Sequence, residues 1–278
     1  MNVKEILKQK KFTFEKRYGQ NFLTDANLLA SIVERSGVDI NSTVVEIGVG
    51  AGTLTSEIAK KVKKVYGFEV DKKLKPVLEE TLKDYSNVEI IFEDIMKVET
   101  SSLEKMVGTN YTVIANLPYY ITTPILMKFI EEGNFVDAVI VTVQKEVAER
   151  ICAKNGTSDY GAITATVNAI CDTEIIEYID RSMFYPAPNV DSAVCKIVLN
   201  KDKFYIKDIN AFRKLVKISF TMRRKTLVNN LIKGYNITRE ICEEVLQSLN
   251  LEVTVRGEDL SPKQFIDLSH KLLEKGIF

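Results

Sequence analysis

Asn116, Leu117, Pro118 and Tyr119 stand in a row, and together these residue types suit one kind of chemistry: making an adenine amine attack an electrophile. That exocyclic amine is a poor nucleophile, because its lone pair is delocalised into the ring. A site that alkylates it has to pull the nitrogen towards tetrahedral geometry. Two acceptors aimed at its hydrogens would do this, the side-chain oxygen of Asn116 and the carbonyl of Leu117. Pro118 fixes its own φ and biases Leu117 towards an extended backbone, which can turn that carbonyl outward. Tyr119 offers a flat face on which an extruded base can stack. An isolated N-x-P-Y is more often only a proline turn after a strand, so the chemistry depends on what surrounds it.

A second group of residues points to a nucleotide-like cofactor. Residues 44–52 read Val-Val-Glu-Ile-Gly-Val-Gly-Ala-Gly, an apolar strand running into a glycine-rich turn that opens a helix. Gly48 and Gly50 let the backbone approach a bound nucleotide closely. The dinucleotide fingerprint would need glycine at position 53, where this chain has Thr53. The G-x-G-x-G spacing behind an acidic residue is instead the pattern associated with S-adenosylmethionine. Glu69 ends the next strand, where a carboxylate can accept from both ribose hydroxyls. Asp94 follows the third strand and could accept from the cofactor's adenine amine. Any one such acid is commonly just an exposed strand end, but two at successive strand ends beside a glycine loop favour the ligand role. Asn116 lies at the end of the fourth strand, on the same edge of the sheet.

The elements that must hold these residues follow from the hydrophobic pattern. Between residues 43 and 144, short apolar runs alternate with helical patterns, the βαβ signature of an α/β fold. Strands are expected at 43–47, 64–70, 88–92, 111–115 and 136–143. A helix over 25–36 ends at Gly37, a favourable C-cap. Beyond a helix near 160–169, two extended runs at 174–179 and 193–199 flank the proline-containing stretch 184–189, long enough for a loop between antiparallel strands. The expected fold class is a Rossmann-like S-adenosylmethionine-dependent methyltransferase sheet, mostly parallel with one antiparallel strand, followed by a small all-α domain. After residue 200 the pattern is helical throughout, with helices at 206–220, 225–233, 238–249 and 262–275. The last opens on Ser261, Pro262 and Gln264, a capping box with proline at the first helical position. The expected domains are therefore 1–200 and 201–278.

Composition narrows the function classes. With 278 residues, 45% hydrophobic and 27% charged, the chain is ordinary for a soluble globular protein. No apolar run approaches membrane-spanning length, and the Lys-rich start is not a secretory signal, so no membrane partner and a cytoplasmic location are expected. Cys152, Cys171, Cys195 and Cys242 form no C-x-x-C pair and His270 is the only histidine. That argues against a metal site and against histidine-based catalysis, and the cysteines read as buried, reduced thiols. Lysines and arginines balance aspartates and glutamates at 38 each, but their distribution is uneven. Residues 201–233 hold ten basic side chains against Asp202 and Asp208, and the first twenty residues hold six against Glu5 and Glu15. Two such segments in a neutral chain read as phosphate-binding surfaces.

Taken together, the chain closely resembles the rRNA adenine dimethyltransferases that act on the small ribosomal subunit, over essentially its whole length. The resemblance rests on residues 16–23 (Lys-Arg-Tyr-Gly-Gln-Asn-Phe-Leu), the Gly48 loop, Glu69, Asp94 and Asn116-Leu117-Pro118-Tyr119. It extends to residues 144–148, 184–186, 190–194 and 223–227. It implies cofactor contacts from Asn21, Leu23, Gly48, Gly50, Glu69, Asp94 and Asn116, with S-adenosylmethionine as cofactor. Tyr119 would stack on the target adenine and Phe184 would cover its opposite face, although a core phenylalanine before a proline-rich turn reads almost equally well from sequence. Arg223, Arg224 and Lys225 would grip phosphates of small-subunit rRNA or of a pre-ribosomal small-subunit particle, and the protein would act as a monomer. Departures from the family pattern are Val49, where proline is commoner, and Pro-Ala-Pro-Asn at 186–189; neither removes a hydrogen-bonding group.

Three other readings share some of these features. The macrolide-resistance methylases of large-subunit rRNA share the front half and an N-x-P-Y motif, but residues 191–194 and 223–227 resemble the small-subunit family more. A ribosome assembly factor with a vestigial pocket would have no need of an intact Asn116 and Glu69. A DNA adenine methylase would need a base-reading module, which residues 201–278 do not resemble.

Overall fold

In the computed structural model of the chain, residues 3–13, 20–200 and 202–278 are described. Lys16, Arg17, Tyr18 and Gly19 of the expected cofactor-contacting segment, and Lys201 of the basic stretch, lie outside them. The strands are β1 (Phe22–Leu23), β2 (Thr43–Ile47), β3 (Lys64–Phe68), β4 (Val88–Ile91), β5 (Tyr111–Asn116), β6 (Val136–Gln144), β7 (Cys171–Ile179), β8 (Phe184–Tyr185) and β9 (Ser192–Leu199). Seven of them form one sheet in the order β4-β3-β2-β5-β6-β9-β7. The β2/β3, β2/β5, β3/β4 and β5/β6 pairs are parallel, whereas β9 runs antiparallel to β6, with Val141 opposite Cys195.

The sequence of β2 explains its central place. All five of its residues are buried, Glu46 included, as expected of a parallel strand covered on both faces. The helix Ala26–Ser36 is held at both ends: Asp25 accepts from the Leu28 N–H, and Gly37 adopts φ 85° and donates to the Glu34 carbonyl. It presents Leu29, Ile32 and Val33 to a core shared with Val44, Ile58, Val65, Ile114 and Ile140. β1 and β8 form a separate two-stranded antiparallel ribbon, pairing Phe22 with Tyr185 and Leu23 with Phe184.

The chain divides into two compact units. One comprises residues 1–148 and 174–199, the other 149–173 and 200–278. The helical unit is larger than residues 201–278, because the segment before β7 joins it. Tyr160, Ala165 and Ala169, on and before the helix Ala162–Ile170, are buried in one core with Phe212, Leu215, Leu231, Val245, Phe265 and Leu272. The further helices Ile209–Ser219, Leu227–Tyr235, Arg239–Ser248 and Pro262–Glu274 are each capped by a side chain, from Asp208, Thr226, Thr238 and Ser261. Ser261 and Gln264 make the reciprocal capping box that their spacing predicts. Among the described residues no helix is long and apolar enough to cross a membrane.

Candidate active site

The geometry begins where the sheet order reverses. From β2 the chain builds β3 and β4 on one side, then returns to place β5 and β6 on the other. The crevice at the carboxyl ends of β2 and β5 is the usual ligand position in such sheets. Gly48, Gly50 and Gly52 all sit at positive φ there, at 76°, 59° and 81°, a region that side-chain-bearing residues rarely enter. Space is as restrictive as conformation. A Cβ on Gly48 would lie 3.0 Å from Leu117 Cδ2 and 3.4 Å from the Asn116 carbonyl oxygen, and one on Gly50 would lie 2.8 Å from the Phe22 ring. The glycine loop and the Asn116-Leu117-Pro118-Tyr119 segment therefore touch.

One cavity of about 1020 Å³, counting its open mouth, is lined by both. Asn21, Leu23, Gly48, Gly50, Glu69 and Asp94 line it, as do Asn116, Leu117, Pro118, Tyr119 and Phe184. Residues from six separate stretches of sequence thus converge on one space.

Glu69 lies just past β3 and is 5% exposed. Its Oε2 accepts from the Gly50 N–H at 2.8 Å and its Oε1 from the Asp71 N–H at 2.8 Å. Each carboxylate oxygen can accept two hydrogen bonds, so each keeps a lone pair for a ligand hydroxyl. Burial raises the Glu69 carboxyl above its ordinary value, while the Asp71 and Gly50 N–H groups pull it down. Glu46, 1% exposed, also borders the cavity. Its Oε2 has no hydrogen-bond partner among the described residues. Burial is the main reason its carboxyl is raised to about 8; the Glu69 charge adds to this, and the nearby Thr55 hydroxyl opposes it without a well-formed hydrogen bond. Asp94 caps the short turn Ile95–Lys97, accepting from the Met96 N–H with Oδ1 at 3.0 Å.

At the tip of β5 the Asn116 amide donates through Nδ2 to the Asn21 carbonyl at 3.4 Å. With its donor end engaged, the acceptor end, Oδ1, is left for a ligand N–H. Among the loop and cap hydrogen bonds of the described residues, none is accepted by the Leu117 carbonyl. Pro118 has φ −54° and ψ 133° and serves as N-cap of the helix Tyr119–Glu132. Tyr119 opens that helix, half-buried, and its hydroxyl meets the Ser192 hydroxyl at 2.8 Å. Burial raises the Tyr119 phenol, partly offset by the Ser192 hydrogen bond, so it is neutral at physiological pH. Phe184 is 5% exposed, packed in the main core and also at the cavity wall.

The expected phosphate-binding residues divide. Arg223 is engaged within its own unit: Nε donates to Glu258 at 3.1 Å, and Nη2 donates to the carbonyls of Tyr160, at 2.9 Å, and of Ser158. It ties residues 158–160 to the helical core, which conflicts with a phosphate-gripping role. Arg224 and Lys225 are exposed, with no side-chain partner among the described residues. Elsewhere in the stretch, Lys203 pairs with Asp172, and Lys214 lies over the Tyr235 ring.

Cys171, Cys195 and Cys242 are buried, and Cys152 is only half-buried. His270 accepts from the Lys207 N–H in the helical unit and is not among the residues that line the cavity. Among the described residues no cluster of His, Cys, Asp or Glu could hold a metal ion.

Two contacts within the site were not read from the sequence, although Asn21 itself was expected at the cofactor. Ser192 lies in a stretch that resembles the family, but a lone serine carries no local signal of a tyrosine 73 residues away. Asn21 acts on Asn116 through a backbone carbonyl, which side-chain identity cannot reveal.

Residues 11–273 match the model of the ribosomal RNA adenine dimethylase family. This chain belongs to that family. A ribosomal RNA small subunit methyltransferase A from Clostridioides difficile is 43% identical, covering 96% of this chain and 94% of its own. One from Ligilactobacillus salivarius is also 43% identical, covering 99% and 95%. Among solved structures, a dimethyladenosine transferase from Plasmodium falciparum aligns with a TM-score of 0.80 at 25% identity, covering 92% of this chain and 98% of that one. The 23S rRNA methyltransferase ErmE aligns at 0.71 and 25% identity, covering 91% and 99%. The dimethylase family thus accounts for the helical unit as well as the sheet.

Proposed function

We infer that this adenine dimethylase transfers two methyl groups from S-adenosylmethionine to the N6 amine of adenines in small-subunit ribosomal RNA, as part of ribosome biogenesis. The observation that carries this reading is the contact between the glycine loop after β2 and the Asn116-Leu117-Pro118-Tyr119 tip of β5 within one cavity. Relatives 43% identical over nearly their whole length bear the small-subunit name, whereas the large-subunit methylase ErmE is a structural neighbour at 25%.

The cavity fits the cofactor by its own chemistry. Gly48 and Gly50 leave room for close approach, Glu69 keeps two lone pairs for ribose hydroxyls, and the Asp94 carboxylate has a second oxygen for an adenine amine. Asn21 and Leu23 complete the wall beside Asn116. Bound there, S-adenosylmethionine supplies a methyl group already activated on a sulfonium. The protein's part is positioning and electrostatics. Asn116 Oδ1 and the Leu117 carbonyl accept from the target amine and draw its lone pair out of conjugation. Tyr119 stacks on the base, and Phe184 closes the other side. S-adenosylmethionine held by these residues would give up its methyl to the amine nitrogen and leave as S-adenosylhomocysteine, and the amine would pass its extra proton to solvent. After one transfer a single N–H remains, so the base must rotate or rebind for the second.

The helical unit is proposed to bind RNA, with Arg224 and Lys225 on phosphates and Arg223 holding residues 158–160 in place. The substrate is proposed to be a pre-ribosomal small-subunit particle, met in the cytoplasm by a monomer.

The test is methyl transfer from isotopically labelled S-adenosylmethionine to four substrates: small-subunit particles from cells lacking the enzyme, naked small-subunit rRNA, large-subunit rRNA and DNA. Label recovered as N6,N6-dimethyladenosine from the particles, and lost with Asn116→Ala, is expected. Label only in large-subunit rRNA would favour the ErmE-like reading, and RNA binding without label would favour an assembly factor.

A further inference from the structure

Tyr119 meets a partner that the proposed mechanism does not use. Ser192 is the first residue of β9 and is wholly buried. Its place is fixed from two directions: in the sheet it stands opposite Gln144, and the preceding carbonyl, of Asp191, accepts from the Lys145 N–H at 3.0 Å. Its hydroxyl lies 2.8 Å from the hydroxyl of Tyr119. Tyr119 itself begins a helix whose N-cap, Pro118, offers no side-chain hydrogen bond. The hydroxyl contact ties the far end of the ring to the sheet.

A base that leaves its helical stack has to be received by a surface already in place. A ring that must first be ordered adds a rotamer-entropy cost to every encounter. We propose that Ser192 is a positioning residue for the transfer step, anchoring the Tyr119 hydroxyl so that the ring stands ready as the stacking face for the target adenine. The anchor accounts for the presence of a tyrosine where a phenylalanine would stack equally well. The strand that begins at Ser192 also follows the loop from Phe184, so one segment sets both aromatic faces of the base pocket. This rests on Tyr119 being the stacking face.

The experiment is a double-mutant cycle on the full-length enzyme with small-subunit particles from cells lacking it: Ser192→Ala, Tyr119→Phe, the pair, and Tyr119→Ala. One hydrogen bond of ordinary net strength corresponds to roughly a two- to twelvefold loss. Ser192→Ala and Tyr119→Phe should each lower kcat by that factor, leave S-adenosylhomocysteine affinity unchanged, and combine with no further loss. Tyr119→Ala, which removes stacking, should lose roughly fivefold to over a hundredfold. Wild-type rates in both conservative variants, or losses that multiply in the pair, would overturn the role of Ser192 while leaving the stacking reading intact. Wild-type activity in Tyr119→Ala would overturn the stacking reading itself.

Discussion

Replacing Glu69 tests the cofactor site most sharply, because its carboxylate has two separable tasks. In the free protein it accepts from the Gly50 and Asp71 N–H groups, each at 2.8 Å, and so holds the glycine loop against the end of β3. On the proposed reading, its two remaining lone pairs would accept from the ribose hydroxyls in the complex. Hydrogen bonds to a charged group contribute about 1.5–3 kcal/mol each, so losing both hydroxyl contacts should cost about 3–6 kcal/mol of binding, a factor of roughly a hundred to ten thousand. Glu69→Ala should lose that much affinity. Its folding loss should be smaller, since a buried carboxylate is itself unfavourable and its removal offsets part of the two lost backbone bonds. Glu69→Gln keeps the shape but turns one oxygen into a donor that meets a backbone N–H, so an intermediate loss of roughly ten- to a hundredfold is expected. Calorimetric titration with S-adenosylhomocysteine, paired with thermal unfolding, reads both effects. An Ala variant that stays folded and binds within threefold of the wild type would refute the ribose assignment.

Other consequences follow from named contacts. Glu46 is raised from 4.5 to about 8 by burial, so the native state holds a proton that the unfolded chain releases between those values. Stability should fall as pH rises from 5 to 8, by roughly 3–4 kcal/mol, and chemical denaturation of Glu46→Gln should lack that slope. Neutralising Arg224 and Lys225 should flatten the salt dependence of RNA binding by about one unit of log–log slope per lost phosphate contact. Arg223→Met should leave that slope unchanged and lower stability by about 2 kcal/mol in urea unfolding, through its lost bonds to Glu258, Ser158 and Tyr160. Gly48→Ala puts a methyl against Leu117 at positive φ; a strain of about 1–2 kcal/mol should appear in thermal unfolding, with a larger loss of turnover because the β5 tip moves.

Much of this was legible from spacing. The strands expected at residues 43–47 and 111–115 stand out because apolar runs lead into chemistry-bearing residues at the sheet's carboxyl edge, and they are found at 43–47 and 111–116. Strand ends were less legible: the strand was expected to run on to Val70, yet β3 stops at Phe68, where the Glu69 side chain turns back to the Gly50 N–H. The β1–β8 ribbon has two residues per strand, too few to show a period. The helix Ala162–Ile170 was expected with the sheet, but alanine-rich faces pack against any neighbour, and its own face lies in the helical core. Arg223 sits in the run Arg-Arg-Lys with nothing to set it apart; only the fold brings Glu258 and the 158–160 carbonyls to it. Composition can mark a basic surface without separating cations held internally from those open to a phosphate.

The most direct measurement is a crystal structure with S-adenosylmethionine and adenosine bound together. The adenosine amine is expected to donate to Asn116 Oδ1 and the Leu117 carbonyl, with its nitrogen about 3–3.5 Å from the methyl carbon and its ring against Tyr119. A methyl group turned away from residues 116–119, or an amine donating to other acceptors, would contradict the account.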